Sequence, residues 1–332
     1  MANLEERVRA MFLGVFIGDR LGLPVETWTA ERIKDQHGRI TDYAPSKSDW
    51  SDDTQLTLAV AEGLIKKPLC MDAQAEAHAS AYEEGVYGMG KSTKRAIRAL
   101  SEGTAWDEVS SDGTGGAGLG NGIAMKISPV AAFHALRAKG SMDVMDFALD
   151  LASMTHNTEM GLCSGIAHMY AIYHCLNHNN KTFITEGFLP FVKLSAAYAK
   201  SRLSDYDATS NDDNFMEHLK ILDNHSSYNF ERIVANLEGG CYACHSLPFT
   251  YMFFLNNNSN IEVLYDVVSA GGDTDSNGSM IAAMLGAKHG MDIFPDHLVD
   301  GLNQEKKERV LDVADRFVEK FMEAGEAVSV TA

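Results

Sequence analysis

The sequence predicts an all-α protein, and two observations carry that prediction. Apolar residues recur at helical spacing along most of the 332-residue chain, and strand-like alternation between hairpin turns is scarce. Val8, Met11, Phe12, Val15 and Phe16 mark the first helix at i, i+3, i+4, i+7 and i+8. Leu56, Ala59, Val60, Gly63 and Leu64 repeat the pattern, and Pro68 stops that helix after Lys66 and Lys67. Further helices are expected near 73–84, 92–101, 142–153, 160–177, 184–202, 214–223, 243–256 and 304–324, and one more ends at Met284. Polar or glycine-rich breaks fall at 38–53, 103–122, 204–213 and 270–278. None has the length or bias of a linker, and no repeat of solenoid period is present. One compact helical domain over residues 1–332 is the expectation.

Composition narrows the function classes. Hydrophobic residues make up 45% of the chain, enough for a substantial core, and 46 acids against 28 bases leave a net charge of −18. That balance argues against a nucleic-acid or anionic-membrane surface, because phosphate binding needs basic patches. No stretch approaches the ~20 apolar residues that span a bilayer. The opening MANLEERVRAMFLG carries acids where a secretory leader would carry bases. Five cysteines, at 70, 163, 175, 241 and 244, are odd in number and scattered, which fits reduced thiols in a cytoplasmic protein.

Two short motifs match known patterns in letters only. Gly85–Ser92, GVYGMGKS, satisfies the phosphate-loop spacing, but such a loop needs an apolar strand before it. AHASAYEE precedes it instead and reads as a helix, so a glycine turn between helices is expected. Cys241–His245, CYACH, has the haem-attachment spacing, yet it opens an apolar helix and reads as a core pair of free cysteines.

The informative carboxylates come in two clusters. Asp49-Trp50-Ser51-Asp52-Asp53-Thr54 opens one helix, and Asp273-Thr274-Asp275-Ser276 opens another. Acids and hydroxyls at a helix start cap free N–H groups, so each cluster alone reads as capping. Together they offer two sets of paired aspartates with a hydroxyl, all hard oxygen donors suited to Mg2+ or Mn2+. Two carboxylates ~4 Å apart repel by about 4 kcal/mol at an effective dielectric near 20. Four converging aspartates would consume much of a typical stability of roughly 5–15 kcal/mol unless cations removed the repulsion. A third segment, Gly18-Asp19-Arg20-Leu21-Gly22-Leu23-Pro24-Val25-Glu26, leaves the first helix and ends in another carboxylate. Glycines at 113, 115, 116, 118, 120 and 122 would let backbone N–H groups approach an anion closely.

With those segments in order, the chain resembles the ADP-ribosylglycohydrolases. The resemblance rests on GDRLGLPVE (18–26), WSDDT (50–54), YGMGKST (87–93), GNGIAMKISPVA (120–131), THNTEMG (155–161) and AGGDTDSNGSM (270–280). It implies an orthogonal helical bundle holding two divalent cations, Mg2+ or Mn2+. By match to the family pattern, Ser51, Asp52, Asp53, Asp273, Asp275 and Ser276 would be the ligands. Glu26 matches a glutamate on a mobile loop, and Glu26 or Asp53 would assist proton transfer. Gly118, Leu119, Gly120 and Asn121 match a loop lying against the ADP-ribose diphosphate. Gly88 and Gly90 match the family's glycine turn, and His156 a histidine beside the nucleotide.

Departures are few. Serine stands at 51 and 276 where threonine is more frequent, Arg20 replaces a small residue, and Leu119 stands where some members carry an aromatic. The implied activity is removal of ADP-ribose from ADP-ribosylated arginine, with an ADP-ribosylated protein or an ADP-ribose-containing small molecule as partner. The alternatives are cleavage of O-linked ADP-ribose, on serine or as an acetyl ester, and a non-catalytic role, because the resemblance extends to jellyfish lens crystallins. Asp19, Glu26, Asp49, Asp52 and Asp53 are expected to crowd the entrance and favour a cationic adduct, with Arg20 opposing them if it points inward.

Overall fold

The structure, a computed structural model, describes residues 2–109, 117–137, 142–179, 181–210 and 214–329. Helices follow one another along the chain: α1 Leu4–Gly22, α2 Ala30–His37, α3 Asp52–Lys66, α4 Met71–Glu84, α5 Lys91–Ser101 and α6 Ser128–Leu136. They continue with α7 Met142–His156, α8 Glu159–Asn177, α9 Thr185–Ser201, α10 Phe215–His218 and α11 Phe230–Asn236. The last are α12 Ala243–Asn256, α13 Glu262–Ser269, α14 Thr274–His289, α15 Asp296–Asp300 and α16 Gln304–Ser329. Among the described residues there is no β-strand, only isolated bridges, so the all-α expectation holds. No described helix is long and apolar enough to cross a membrane.

Local chemistry sets the ends that matter. Asn3 and Glu6 form a reciprocal capping box that starts α1. Ser51 caps α3, its hydroxyl accepting from the Asp53 N–H at 3.3 Å. α1 and α14 pack with their backbones in contact. A methyl group added at Gly18 would sit 2.1 Å from the Gly278 carbonyl oxygen, so only glycine permits this approach. The same crossing is fastened where the Thr274 hydroxyl donates to the Gly22 carbonyl at 2.8 Å. Phe12 meets Phe317 of α16 edge-on at 5.5 Å, and Phe16 meets Trp50 at 5.7 Å. Each such buried side chain stabilises the fold by about 1.5–3 kcal/mol.

Several helices go beyond the sequence expectation. α6 and α14 are buried on nearly every side, so their apolar residues show no stripe, and α14 runs five residues past Met284. α2 and α11 each bury a single residue, Ile33 and Ile233, and α13 and α15 are short. The helix expected over 214–223 resolves into α10 and a 3-10 segment, Leu219–Ser227, kinked at Asn224. The break expected to run to residue 278 ends at Asp273, because the glycine and hydroxyl residues after it continue as helix.

The two letter-only motifs behave differently. GVYGMGKS joins α4 to α5 as the expected glycine turn. CYACH needs correcting: Cys244 is buried, but Cys241 is exposed, so the two are not a core pair. All five cysteines are free.

Candidate metal centre and active-site cavity

The starts of α3 and α14 face each other across Asp53. Its Oδ2 accepts from the hydroxyls of Ser51 at 3.2 Å and Ser276 at 3.1 Å, and its Oδ1 accepts from Ser279 at 2.5 Å. Asp53 therefore joins the two acidic clusters that the sequence holds more than 200 residues apart. Asp273 caps α14 by position, and its Oδ2 accepts from the Asn121 amide at 2.6 Å. The same amide reaches the Ser246 hydroxyl at 3.0 Å, which in turn donates to Asn277 Oδ1 at 2.6 Å.

Glu26 is brought to this point by backbone pairing. The Thr27 N–H donates to the Gly272 carbonyl at 2.7 Å, and the Gly272 N–H returns to the Trp28 carbonyl at 2.9 Å. Glu26, Asp273 and Asp275 then offer carboxylate oxygens that all lie within 4.8 Å of one another, a group able to hold a metal ion. Thr27 itself takes a left-handed conformation, φ 66°, which is strained for a β-branched residue.

A cavity of about 560 Å3 opens over these groups. Glu26, Asp52, Asp53, Asp273, Asp275 and Ser276 line its acidic end. Gly88, Gly90, Lys91 and Arg95 from the α4–α5 turn and α5 line another wall, with Gly120, Asn121, His156, Cys241 and Tyr242. Gly88 has φ 94°, and a side chain there would begin 3.0 Å from Asp52 Oδ1. The turn dismissed as a phosphate loop is thus part of the cavity wall.

Three expected site residues do not line the cavity. Ser51 is fully buried between Asp53 and the α3 backbone. Gly118 and Leu119 support the wall from behind. The Gly118 N–H donates to the Ser92 hydroxyl at 2.8 Å, and its carbonyl accepts from Thr158 at 2.7 Å. The Leu119 carbonyl accepts from Ala243 N–H, and Asn121 N–H donates to the Cys241 carbonyl, both at 2.9 Å. Two loop N–H groups expected to meet an anion are therefore already bonded. Gly113, Gly115 and Gly116 lie outside the described residues.

The entrance also differs from expectation. Asp19 is fully buried, and Asp49 turns to Lys306 at 3.4 Å and Asn303 at 3.1 Å, so neither lines the cavity. Arg20 donates to the Ala44 carbonyl at 2.9 Å and lies over the Tyr43 ring, away from the acids.

Electrostatics make the acidic end unusual. Burial pushes the Asp52 carboxyl up to about 8, reinforced by Asp19 and Asp273. Burial also raises Asp53 and Asp275 well above the usual range, and Asp273 and Glu26 in the same direction. Lys126 is a buried cation whose Nζ lies 3.3 Å from His78 Nε2, and burial pulls it down to about 7 against the opposing pull of Asp52. His156 is held neutral, near 3, by burial and by Lys126. The donor set is all hard oxygen, crowded and short of positive charge, and it fits divalent cations.

The sequence reading misses Ser279, Lys126 and Tyr242, and it misplaces Asp19, expected at the entrance, and Cys241, expected in the core. Ser279 carries the one readable signal, lying one helical turn after Ser276.

Comparison with known proteins shows the family to which the chain belongs. The family model for ADP-ribosylglycohydrolase matches residues 1–327, and the chain belongs to that family of glycosyl hydrolases, which act on ADP-ribosylated proteins or other ADP-ribose substrates. It is 24% identical over 328 residues to ADP-ribosylhydrolase ARH3 of Mus musculus, covering 89% of this chain and 87% of that protein. It is 22% identical over 317 residues to the ADP-ribosyl-dinitrogen reductase glycohydrolase of Rhodospirillum rubrum, covering 93% and 94%. A solved ADP-ribosylglycohydrolase-related protein complex shares the fold, with a TM-score of 0.68 at 20% identity over 97% of this chain and 100% of that one.

Proposed function

We propose that the protein hydrolyses the N-glycosidic bond between ADP-ribose and an arginine side chain. One observation carries the reading: five carboxylates, Glu26, Asp52, Asp53, Asp273 and Asp275, line one end of the cavity. A guanidinium adduct brings positive charge to that end, whereas a serine adduct brings none. Arg20 supports the reading by turning its guanidinium to Ala44 and Tyr43. An acidic cleft raises the local concentration of a cationic substrate by electrostatic focusing.

Asp52, Asp53, Asp273, Asp275 and Ser276, with Glu26 beside the last pair, would hold two divalent cations, Mg2+ or Mn2+. When bound, such cations supply Lewis-acid polarisation of the ribose hydroxyls. Ser51 keeps a supporting role, because its hydroxyl is committed to Asp53 and the α3 backbone. Glu26 takes the proton-transfer role ahead of Asp53. The Asp53 oxygens accept from three hydroxyls, while Glu26 is half-buried at the cavity with a raised affinity for protons. Glu26 accepts a proton from the attacking water as its oxygen bonds to ribose C1. The C1–N bond breaks with its electron pair passing to nitrogen, and the guanidine takes up the proton held by Glu26 and leaves as a guanidinium cation.

At the other wall, Gly88, Gly90 and Gly120 allow close backbone approach, and Lys91 and Arg95 add positive charge suited to a diphosphate. His156, neutral and hydrogen-bonded to the Thr155 hydroxyl at 2.8 Å, would meet the nucleotide as a neutral partner.

The test is the ratio of kcat/KM for ADP-ribosyl-arginine and ADP-ribosyl-serine substrates at saturating Mg2+. The reading expects arginine to be preferred at least tenfold; equal rates or a serine preference contradict it.

A further inference from the structure

Asp19 lies inside α1, fully buried, and no basic side chain among the described residues is within ion-pair distance of it. Its carboxylate is spent on the start of α3. Oδ2 accepts from the Ser51 N–H at 2.9 Å, the Thr54 N–H at 3.2 Å and the Thr54 hydroxyl at 2.5 Å. Oδ1 accepts from the Ser51 N–H at 3.1 Å. α3 therefore has two caps, the local Ser51 hydroxyl and a carboxylate supplied from 32 residues upstream. A carboxylate at a helix start also faces the positive end of the helix dipole.

The other side of the same segment of α1 holds α14. Gly18 lies against the Gly278 backbone, and Gly22 accepts from the Thr274 hydroxyl at 2.8 Å. Residues 18 to 22 thus touch both helix starts, the one carrying Asp52 and Asp53 and the one carrying Asp273 and Asp275. Asp52 and Asp53 at the start of α3 repel Asp273 and Asp275 at the start of α14 when ionised, so the two helices would separate at their acidic ends if nothing held them. Burying another carboxylate beneath them worsens the repulsion, and the four hydrogen bonds it accepts are the compensating gain.

We infer that Asp19 is a positioning residue: it fixes the start of α3 against α14, so that the carboxylates of both helices are preorganised for divalent cations. The inference rests on the divalent-cation reading of the cavity. Asp19 does not line the cavity, so it touches neither substrate nor cation. Its removal acts through the spacing of Asp52 and Asp53 from the α14 pair.

Mn2+ titration by calorimetry, on chelated and then dialysed protein, tests the inference. The set is wild type, Asp19→Asn, Thr54→Val and Asp275→Asn. Asp19→Asn keeps the shape but turns an amide toward N–H donors, and Mn2+ affinity should fall about tenfold or more. Thr54→Val removes only the hydroxyl contact and should weaken Mn2+ about threefold; it carries the test if Asp19→Asn does not fold. In the folded variants, excess Mn2+ should restore most of the wild-type kcat, which a lost proton-transfer group would not allow. Asp275→Asn should lose most Mn2+ binding. If wild type binds Mn2+ and Asp275→Asn does not, but Asp19→Asn and Thr54→Val keep wild-type affinity, the inference is overturned while the metal reading stands. If wild type takes up no Mn2+, both are overturned.

Discussion

Glu26 and Asp53 share a functional group, and their surroundings separate their roles. Three hydroxyls surround Asp53, whereas Glu26 is half-buried beside Asp273 and Asp275 with no hydroxyl bonded to it among the described residues. Glu26→Gln should therefore lower kcat about 100-fold or more at saturating Mn2+, within the usual range for removing a general acid or base. Asp53→Asn should chiefly weaken Mn2+ binding. Measuring kcat and Mn2+ affinity for both variants decides between the assignments, and an undiminished kcat in Glu26→Gln would move the proton role elsewhere. Arg20 gives the opposite expectation. Its guanidinium serves the Ala44 carbonyl and the Tyr43 ring, so Arg20→Ala should change kcat/KM less than about twofold on either linkage. The lost hydrogen bond and stacking should cost about 1–2 kcal/mol in urea denaturation.

Among the helices, the α1–α14 crossing does most to place the site. Gly18→Ala puts a methyl group against the Gly278 carbonyl and must force the helices apart. Overpacking of this kind costs about 1–3 kcal/mol. Mn2+ affinity should fall with it, because the start of α14 carries Asp273 and Asp275. A calorimetric melt and a Mn2+ titration of the variant check both effects; unchanged Mn2+ affinity would show that the crossing does not set ligand spacing. The sequence makes amphipathic helices such as α4 and α5 legible, since their buried residues repeat at helical spacing. It hides α6, where burial on all sides erases the stripe, the five residues by which α14 passes Met284, and α2, where one buried isoleucine leaves no pattern. The acidic clusters are legible because two aspartates and a hydroxyl recur at two helix starts. Asp19 is not, because a buried acid within a helix gains its meaning from Ser51 and Thr54, 32 and 35 residues away. Asn121 is legible as part of a loop, but its bond to Asp273 spans 152 residues.

For the whole molecule, the raised carboxylates link stability to pH and to cations. A carboxyl group that binds its proton more tightly when folded favours the folded state below its unfolded value and loses that contribution as pH rises through the folded value. Asp52 spans about 4 to about 8, and Asp53 and Asp275 move the same way. In chelator, the melting temperature should therefore fall as pH rises across that window. Mn2+ at 100 times its Kd should return about 2.7 kcal/mol, and at one fixed Mn2+ concentration the return should grow with pH, because cations compete with protons for the same oxygens. A metal-free protein whose melting temperature is flat from pH 4 to pH 8 would contradict this. The most direct test of the account is release of ADP-ribose from an ADP-ribosyl-arginine substrate by chelated protein, before and after Mn2+ is added back. The account predicts release near background in chelator and recovery of most of the original rate with Mn2+. Equal release in the presence and absence of chelator would contradict it.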